Sequence, residues 1–263
     1  MLIDTHAHLC EDKLYPNADY IINNFASDNI EAIICPSTNH TTNIRTLQLC
    51  TNYDKVFGAL GTHPLYADKW DKELFDIIEK GLYNPKVVAV GEIGLDDHYK
   101  LVPISTQVPI LLEQLNLAKV NHLPVIFHTR DVWDIFLDFL SANRDLITNG
   151  VVHCFDGEVK HLRTILDLGL NVSFTGNITY AKSYLHEVVQ YVPLDRFMIE
   201  TDCPYIVPKS VKKVVDLNQP KYVNLVAECI ANLRNMSVKK VIDITTANTY
   251  QLFKRMKDNE QNL

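Results

Sequence analysis

The sequence predicts an α/β fold, and within that class a (β/α)8 TIM barrel formed as a single domain by residues 1–263. Eight short runs rich in β-branched residues follow one another along the chain, and amphipathic stretches with helical spacing separate them. The runs are continuously apolar, as in KVVAV and LPVIF, which is typical of parallel strands buried on both faces. Eight strand–helix units in this order favour a closed barrel, and a doubly wound open sheet is the alternative.

Predicted strands and helices alternate from the first residues onward. The strands cover Leu2–Thr5, Glu31–Pro36, Val56–Gly61, Lys86–Gly91, Pro124–Phe127, Gly150–Val152, Asn171–Thr175 and Phe197–Glu200. The helices between them cover Asp19–Ser27, Asn43–Thr51, Asp71–Gly81, Thr106–Asn121, Val132–Ala142, Val159–Leu168 and Tyr184–Tyr191. Two final helices, Lys221–Met236 and Val238–Lys257, follow a loop that contains several prolines, and Ser237 is the expected N-cap of the second.

Length, composition and charge describe an ordinary globular protein. The 263 residues match the size of one α/β barrel, and 47% are hydrophobic and 22% charged. The net charge of −7 argues against binding of polyanions through a diffuse basic surface, although bound divalent cations can reverse the sign locally. Six scattered cysteines without a CxxC pair are typical of reduced thiols, and the sequence shows neither a signal peptide nor a membrane-spanning apolar run. We therefore expect a cytoplasmic protein, or a nuclear one, with no membrane partner.

Histidines and carboxylates recur where the predicted strands end. His6 and His8 stand two residues apart at the end of the first strand, so both side chains can point into the barrel mouth. Strands three, four, five, six and eight are followed by His63, Glu92, His128, His153 and Asp202, respectively. A closed barrel gathers these strand ends around one mouth, which is where barrel enzymes place their chemistry.

Imidazole and carboxylate ligands without thiolate suit divalent ions such as zinc, manganese or magnesium. Two such ions about 3.5–4 Å apart polarise a substrate oxygen and activate a bridging water. Glu92, midway round the barrel, is the candidate bridge, and Asp202 would bind one metal and accept the proton of the attacking water. The structural alternatives are hydrogen-bonded histidines, with Glu92 or Asp202 as a helix cap or an ion-pair partner of Arg130. Together, however, these ionisable groups need a cation to offset their desolvation in one cavity.

Other catalytic signatures are missing from the sequence. No GxGxxG, P-loop, GxSxG or HExxH motif is present. The remaining histidines lie in predicted loops or helices and are interpreted as surface residues, with His98, in the loop after strand four, as the exception. They are His40, His98, His122, His161 and His186.

Seven ordered motifs carry a family resemblance. They read IDTHAHL, GTHP, GEIGLD, PVIFHTR, VHCFDG, FTGNITY and IETDCPYI. In this order they closely resemble the TatD-type metal-dependent deoxyribonucleases of the amidohydrolase superfamily, from Leu2 to about Pro208. The resemblance implies a (β/α)8 barrel with two divalent metal ions that hydrolyses phosphodiester bonds in DNA, with 3′-to-5′ exonuclease activity as the usual proposal.

The resemblance also implies roles for individual residues. One metal would be bound by His6, His8 and Asp202, and the second by His128 and His153. Glu92 would bridge the two metals. His63 resembles the histidine that approaches the scissile phosphate, and we expect Arg130 to bind substrate beside it. Asp202, His63 and Glu92 are the residues expected to take part in the reaction itself.

Four departures from the family pattern leave the substrate preference open. Asp97 replaces the usual aromatic residue, Cys203 a serine, Gln219 a glutamate and Tyr180 a phenylalanine. The first alternative function is therefore a metal-dependent amide or ester hydrolase, such as a D-aminoacyl-tRNA deacylase, on the same barrel. Superfamily members with amide substrates often bridge their metals with a carboxylated lysine, and Glu92 at this position favours the phosphodiesterase. The second alternative, a non-catalytic barrel, is disfavoured by the complete set of candidate ligands.

Overall fold

The computed structural model describes residues 1–180 and 183–260 and consists of eight parallel strands that alternate with helices. The strands are β1 (Leu2–Asp4), β2 (Ile30–Pro36), β3 (Val56–Leu60), β4 (Val87–Asp96), β5 (Val125–Arg130), β6 (Gly150–Val152), β7 (Asn171–Phe174) and β8 (Phe197–Ile199). Each pairs in parallel with the next, so the sheet order is the order of the chain. This is the (β/α)8 arrangement predicted from the sequence.

Ten α-helices are found in the described ranges, and they accompany these strands. They are α1 (Ala18–Asn23), α2 (His40–Asn52), α3 (Lys72–Gly81), α4 (Ile104–Val120), α5 (Trp133–Ala142), α6 (Val159–Asp167), α7 (Leu185–Tyr191), α8 (Val223–Arg234), α9 (Val238–Leu252) and α10 (Lys254–Glu260). The hydroxyl of Ser237 accepts a hydrogen bond from the Lys240 N–H at 3.2 Å, which confirms the predicted cap of α9. None of the helices in the described part of the chain has the length and apolarity that a membrane crossing requires.

The first and last strands close the sheet into a barrel. The Thr5 N–H donates to the Ile199 carbonyl at 3.2 Å. One residue earlier, the fully buried Asp4 carboxylate accepts hydrogen bonds from the Thr201 N–H at 2.9 Å and the Thr201 hydroxyl at 2.5 Å. Burial raises the pKa of Asp4 to about 8. These bonds join β1 to β8, so the first and last candidate ligands lie side by side although nearly the whole chain separates them.

One end of the barrel is covered, and the other is open. Leu252, Phe253 and Met256 are buried with the inward-facing apolar side chains of the strands. Arg255 of α10 donates to the carbonyl of Val87, at the beginning of β4, at 2.8 Å. The C-terminal helices therefore cover the end where the strands begin, and the candidate ligands lie at the opposite end.

Strands β4 and β5 continue beyond the ends predicted for them, Gly91 and Phe127. Their pairing runs on through Gly94 with His128 and through Asp96 with Arg130. The prediction was wrong because it followed the apolar runs, which end where the sequence turns to glycine and ionisable residues. Consequently Glu92 and His128 lie within paired strands, where the backbone is held more rigidly than in a loop.

Gly94 lies directly against the backbone of β5 at the mouth of the barrel. A β-carbon at this position would lie 1.8 Å from the carbonyl oxygen of His128. We expect Gly94→Ala to lower the free energy of unfolding by at least about 3 kcal/mol, because the backbone of one strand must move. Chemical denaturation of the variant tests this, with Gly169→Ala as the control. Position 169 has open space for a β-carbon, although its positive φ adds a smaller cost.

Candidate metal centre

The predicted site residues converge at the open end of the barrel. A cavity of about 490 Å³ is lined by His8, His63, Glu92, His128, His153, Asp202 and Arg130, among other residues. His6 is fully buried beside it, with its Nε2 3.0 Å from Nε2 of His8. The structure thus brings together every residue that the sequence singled out.

Three side chains form the first half of the cluster around one oxygen of Glu92. Glu92 Oε2 lies 3.4 Å from His6 Nε2 and 3.5 Å from His8 Nε2. Asp202 Oδ1 approaches the same two nitrogens at 3.8 and 3.3 Å. The left-handed backbone at Asp202, with φ of 54°, turns its carboxylate toward them. Two nitrogens and two oxygens therefore face a common point.

The other oxygen of Glu92 faces a second group of histidines. Glu92 Oε1 lies 2.8 Å from both His128 Nδ1 and His153 Nε2, and these two nitrogens are 3.2 Å apart. The two carboxylate oxygens of one residue thus serve two separate sets of nitrogens. The ion-pair partners of Glu92 and Asp202 are histidines and not Arg130. The alternative in which either carboxylate serves as an ion-pair partner of Arg130 is therefore wrong.

Outer contacts orient three of the four rings. They join His8 Nδ1 to the Pro36 carbonyl at 3.1 Å, His128 Nε2 to Asp96 Oδ2 at 2.8 Å, and His153 Nδ1 to Glu200 Oε1 at 3.5 Å. Each contact gives the outward nitrogen an acceptor for its proton, so the inner nitrogen could bind a metal ion once it has lost its own proton, as in metal sites with carboxylate–histidine pairs. The sequence analysis missed Asp96 and Glu200. The two-residue periodicity of a strand could have indicated Asp96, which follows Glu92 by four residues in β4, whereas Glu200 lies just beyond the end of β8.

His63 is arranged differently from the other four rings. Its Nδ1 accepts a hydrogen bond from the Leu65 N–H at 3.1 Å, so the neutral ring carries its proton on Nε2. Burial, reinforced by His128, lowers the pKa of His63 to about 3, which keeps the ring neutral. Nε2 lies 3.6 Å from Glu92 Oε1 and points an N–H into the cavity. This geometry suits donation to a substrate oxygen.

The cluster carries charges that a cation would balance. Burial disfavours the charged form of His8, yet the hydrogen bond to Asp202 and the charge of Glu92 outweigh it and raise its pKa to about 9. Burial also opposes ionisation of Glu92, but His153 and His63 hold the pKa of this carboxylate well below its usual range. Without a metal, protons on the histidines compensate the carboxylates. A divalent ion binding here must displace those protons.

Metal affinity is therefore expected to rise between pH 6.5 and 9. In that window His8, with its raised pKa, remains protonated in the metal-free protein, so every metal ion bound at His8 releases a proton. The gain is up to about tenfold per pH unit for each proton displaced. Isothermal titration calorimetry with Mn²⁺ in two buffers of different ionisation enthalpy measures both the affinity and the protons released. An affinity that stays constant across this window would contradict the assignment.

Two of the remaining histidines, His161 and His98, lie in different surroundings. His161 is not a surface residue, because it is buried and its ring stacks on Trp133 with centroids 5.0 Å apart. The sequence pattern missed this because the stacking on Trp133 of α5, which buries His161 together with a hydrogen bond from the Glu158 N–H at 3.0 Å, depends on the tertiary structure. His98 lies exposed in the loop after β4, with its Nδ1 at hydrogen-bond distance, 2.6 Å, from Asp131 Oδ2.

A (β/α)8 barrel with four histidines and two carboxylates at its strand ends defines a metal-dependent hydrolase, and the donor set fits divalent ions. Comparison with known proteins identifies the family. Residues 3–254 match the family model described as TatD related DNase, so the chain belongs to the TatD family.

Two relatives and one solved structure match most of this chain and most of their own length. A metal-dependent hydrolase of uncharacterised function from Bacillus subtilis, YabD, is 33% identical over 255 residues, which cover 97% of this chain and 99% of YabD. A protein named 3′-5′ ssDNA/RNA exonuclease TatD from a Rahnella strain is 33% identical over 76% of this chain and 78% of its own length. The crystal structure of YjjV, a TatD homologue from Escherichia coli, superposes with a TM-score of 0.87 at 31% identity, covering 96% of this chain and 98% of YjjV.

Proposed function

We propose that the protein is a metal-dependent deoxyribonuclease that removes nucleotides from the 3′ end of DNA with two bound divalent ions. The proposal rests on the contacts of the two carboxylate oxygens of Glu92. Oε2 faces His6 and His8, whereas Oε1 faces His128 and His153. A single carboxylate placed in this way can bridge two ions. The Rahnella relative named as a 3′-5′ exonuclease supports the substrate class and the direction.

Six residues of the cluster would serve as metal ligands. One ion would be held by His6, His8 and Asp202, the other by His128 and His153, with Glu92 between them. Bound divalent ions would lower the pKa of water and polarise the phosphoryl oxygens. Zinc, manganese and magnesium are the candidates that this donor set accepts.

Three side chains of the chain itself can carry out the remaining steps. Asp202 would accept the proton of the water that attacks phosphorus. In the metal-free protein its histidine neighbours hold the pKa of this buried carboxylate below its usual value, and bound cations would keep it ionised in their place. The Nε2–H of His63 donates to a phosphoryl oxygen as negative charge builds up there. Arg130, on the cavity wall, binds a phosphate of the substrate. The bond between phosphorus and the oxygen of the shortened strand then breaks, that oxygen takes up the proton accepted by Asp202, and the released nucleotide keeps the phosphate.

The cysteines bear on the cellular compartment in which the enzyme works. All six lie among the described residues and are free thiols. Reduced thiols support the cytoplasm, or the nucleus, as the compartment in which the enzyme meets DNA.

Substrate comparison under one set of metal conditions tests the proposal. Purified protein supplied with Mg²⁺, Mn²⁺ or Zn²⁺ is given single-stranded DNA, duplex DNA and a D-aminoacyl-tRNA in parallel. We expect stepwise shortening of DNA from its 3′ end, and no deacylation of the tRNA. Deacylation without DNA cleavage would favour the amide or ester hydrolase, and no reaction with any substrate by metal-loaded protein would favour the non-catalytic barrel.

A further inference from the structure

Two exposed tyrosines at the mouth of the barrel are each accompanied by a cation. The guanidinium of Arg130 lies over the ring of Tyr99, 5.3 Å from its centroid, and Lys13 Nζ lies over the ring of Tyr205 at 5.9 Å. Tyr99 is 56% exposed and Tyr205 is 46% exposed. Both tyrosines line the cavity that contains the metal cluster.

The two tyrosine–cation pairs lie on opposite sides of this cavity. Tyr99 follows β4 and Arg130 ends β5, whereas Lys13 follows β1 and Tyr205 follows β8. In a barrel whose strands are ordered β1 to β8, the junction of β4 with β5 lies half-way round from the junction of β8 with β1. The metal cluster therefore lies between the two pairs, and the ring of Tyr205 makes an edge-to-face contact with His8, with centroids 6.0 Å apart.

Neither cation is neutralised by the protein. Across the described ranges, Lys13 and Arg130 form no ion pair with a carboxylate, in contrast to Arg45, which lies 2.6 Å from Asp12. Both cations therefore remain available to an anion at the mouth of the cavity, where the net charge of −7 would otherwise disfavour the approach of a phosphate. Each pair therefore presents an aromatic face for a base and a positive charge for a phosphate.

We infer that the two pairs are stacking sites for the nucleotides on either side of the scissile phosphodiester of a single-stranded nucleic acid. This inference rests on the function proposed above and extends it from the metal cluster to the substrate. Aromatic rings beside cations bind single strands because every unpaired base has a free π-face, while the faces of bases in a duplex are already stacked. Tyr99 with Arg130 holds one neighbouring nucleotide, and Tyr205 with Lys13 holds the other.

Tyr99→Leu and Tyr205→Leu test this inference on two strands of equal length. One strand carries normal bases, and the other carries abasic deoxyribose units with the same phosphodiester bonds. On the base-bearing strand each variant is expected to lose at least about fivefold in kcat/KM, mainly through KM, because one base loses its stacking partner. On the abasic strand both variants are expected to match the parent. Tyr99→Phe and Tyr205→Phe retain the ring and are expected to restore the activity.

Tyr83→Leu provides the matched control. Tyr83 is 77% exposed and follows α3 at the covered end of the barrel, so its replacement leaves both strands unaffected. The inferred stacking sites would be overturned if the leucine variants lost activity equally on the two strands. They would also be overturned if the leucine variants matched the parent on the base-bearing strand. Either result would leave the proposed nuclease function intact. If the parent cleaves neither strand, the proposed function itself fails.

Discussion

Asp202→Asn is expected to lower kcat by between about 10² and 10⁴-fold, which is the contribution typical of a general base. The amide keeps the size of the side chain but can no longer accept the proton of the attacking water. It also weakens the contacts of 3.8 and 3.3 Å that the carboxylate makes with His6 and His8. Steady-state turnover of single-stranded DNA measures the loss, and circular dichroism checks that the fold is retained.

Asp131→Asn is the matched control for the variant at position 202. Asp131 lies at the same end of the barrel, but its exposed carboxylate pairs with His98 and takes no part in the cluster. The same change of charge there is expected to leave kcat within about a factor of two, as for an exposed ion pair. Full activity of the Asp202 variant would show that Asp202 is not the general base.

Glu92→Gln is expected to abolish both metal binding and hydrolysis. Glu92 contacts both histidine groups, and a glutamine offers only one oxygen and no charge to balance two cations. Activity is expected to fall by at least about 10³-fold, because the metals supply several kcal/mol of transition-state stabilisation. Metal content per chain, measured by plasma mass spectrometry, is expected to fall together with activity.

Glu73→Gln removes an equivalent charge on the outer surface. Glu73 lies in the first turn of α3, is exposed, and its carboxylate is 3.5 Å from His40 Nε2. We expect its metal content and activity to equal those of the parent. A Glu92 variant that retained both ions would show that the bridge is formed by another residue.

The sequence predicted the barrel well because its strands are buried on both faces. Runs such as Gly150–Val152 were placed correctly, since an apolar run with β-branched residues has few alternatives to a strand. The ends of β4 and β5 were wrong because their last residues are selected for the site and not for burial in an apolar core. Glycine at position 94 and the ionisable residues that follow Gly91 and Phe127 break the apolar pattern while the backbone pairing continues.

For the site, the sequence could indicate which residues meet but not how they are oriented. Closure of the sheet brings His6 next to Asp202, and the order of strands alone predicts this. The nitrogen that each histidine turns inward depends on neighbours such as Asp96, which no motif reading assigned. Likewise, the role proposed for His63 as a donor depends on the Leu65 N–H, a backbone contact that the sequence does not reveal.

Anomalous diffraction from crystals grown with Mn²⁺ tests the central claim most directly. Two peaks are expected about 3.5–4 Å apart on either side of the Glu92 carboxylate, which is the separation of two-metal hydrolytic sites. One peak would lie against His6, His8 and Asp202, and the other against His128 and His153. A single peak that Glu92 does not contact, or no peak near these histidines, would contradict the account.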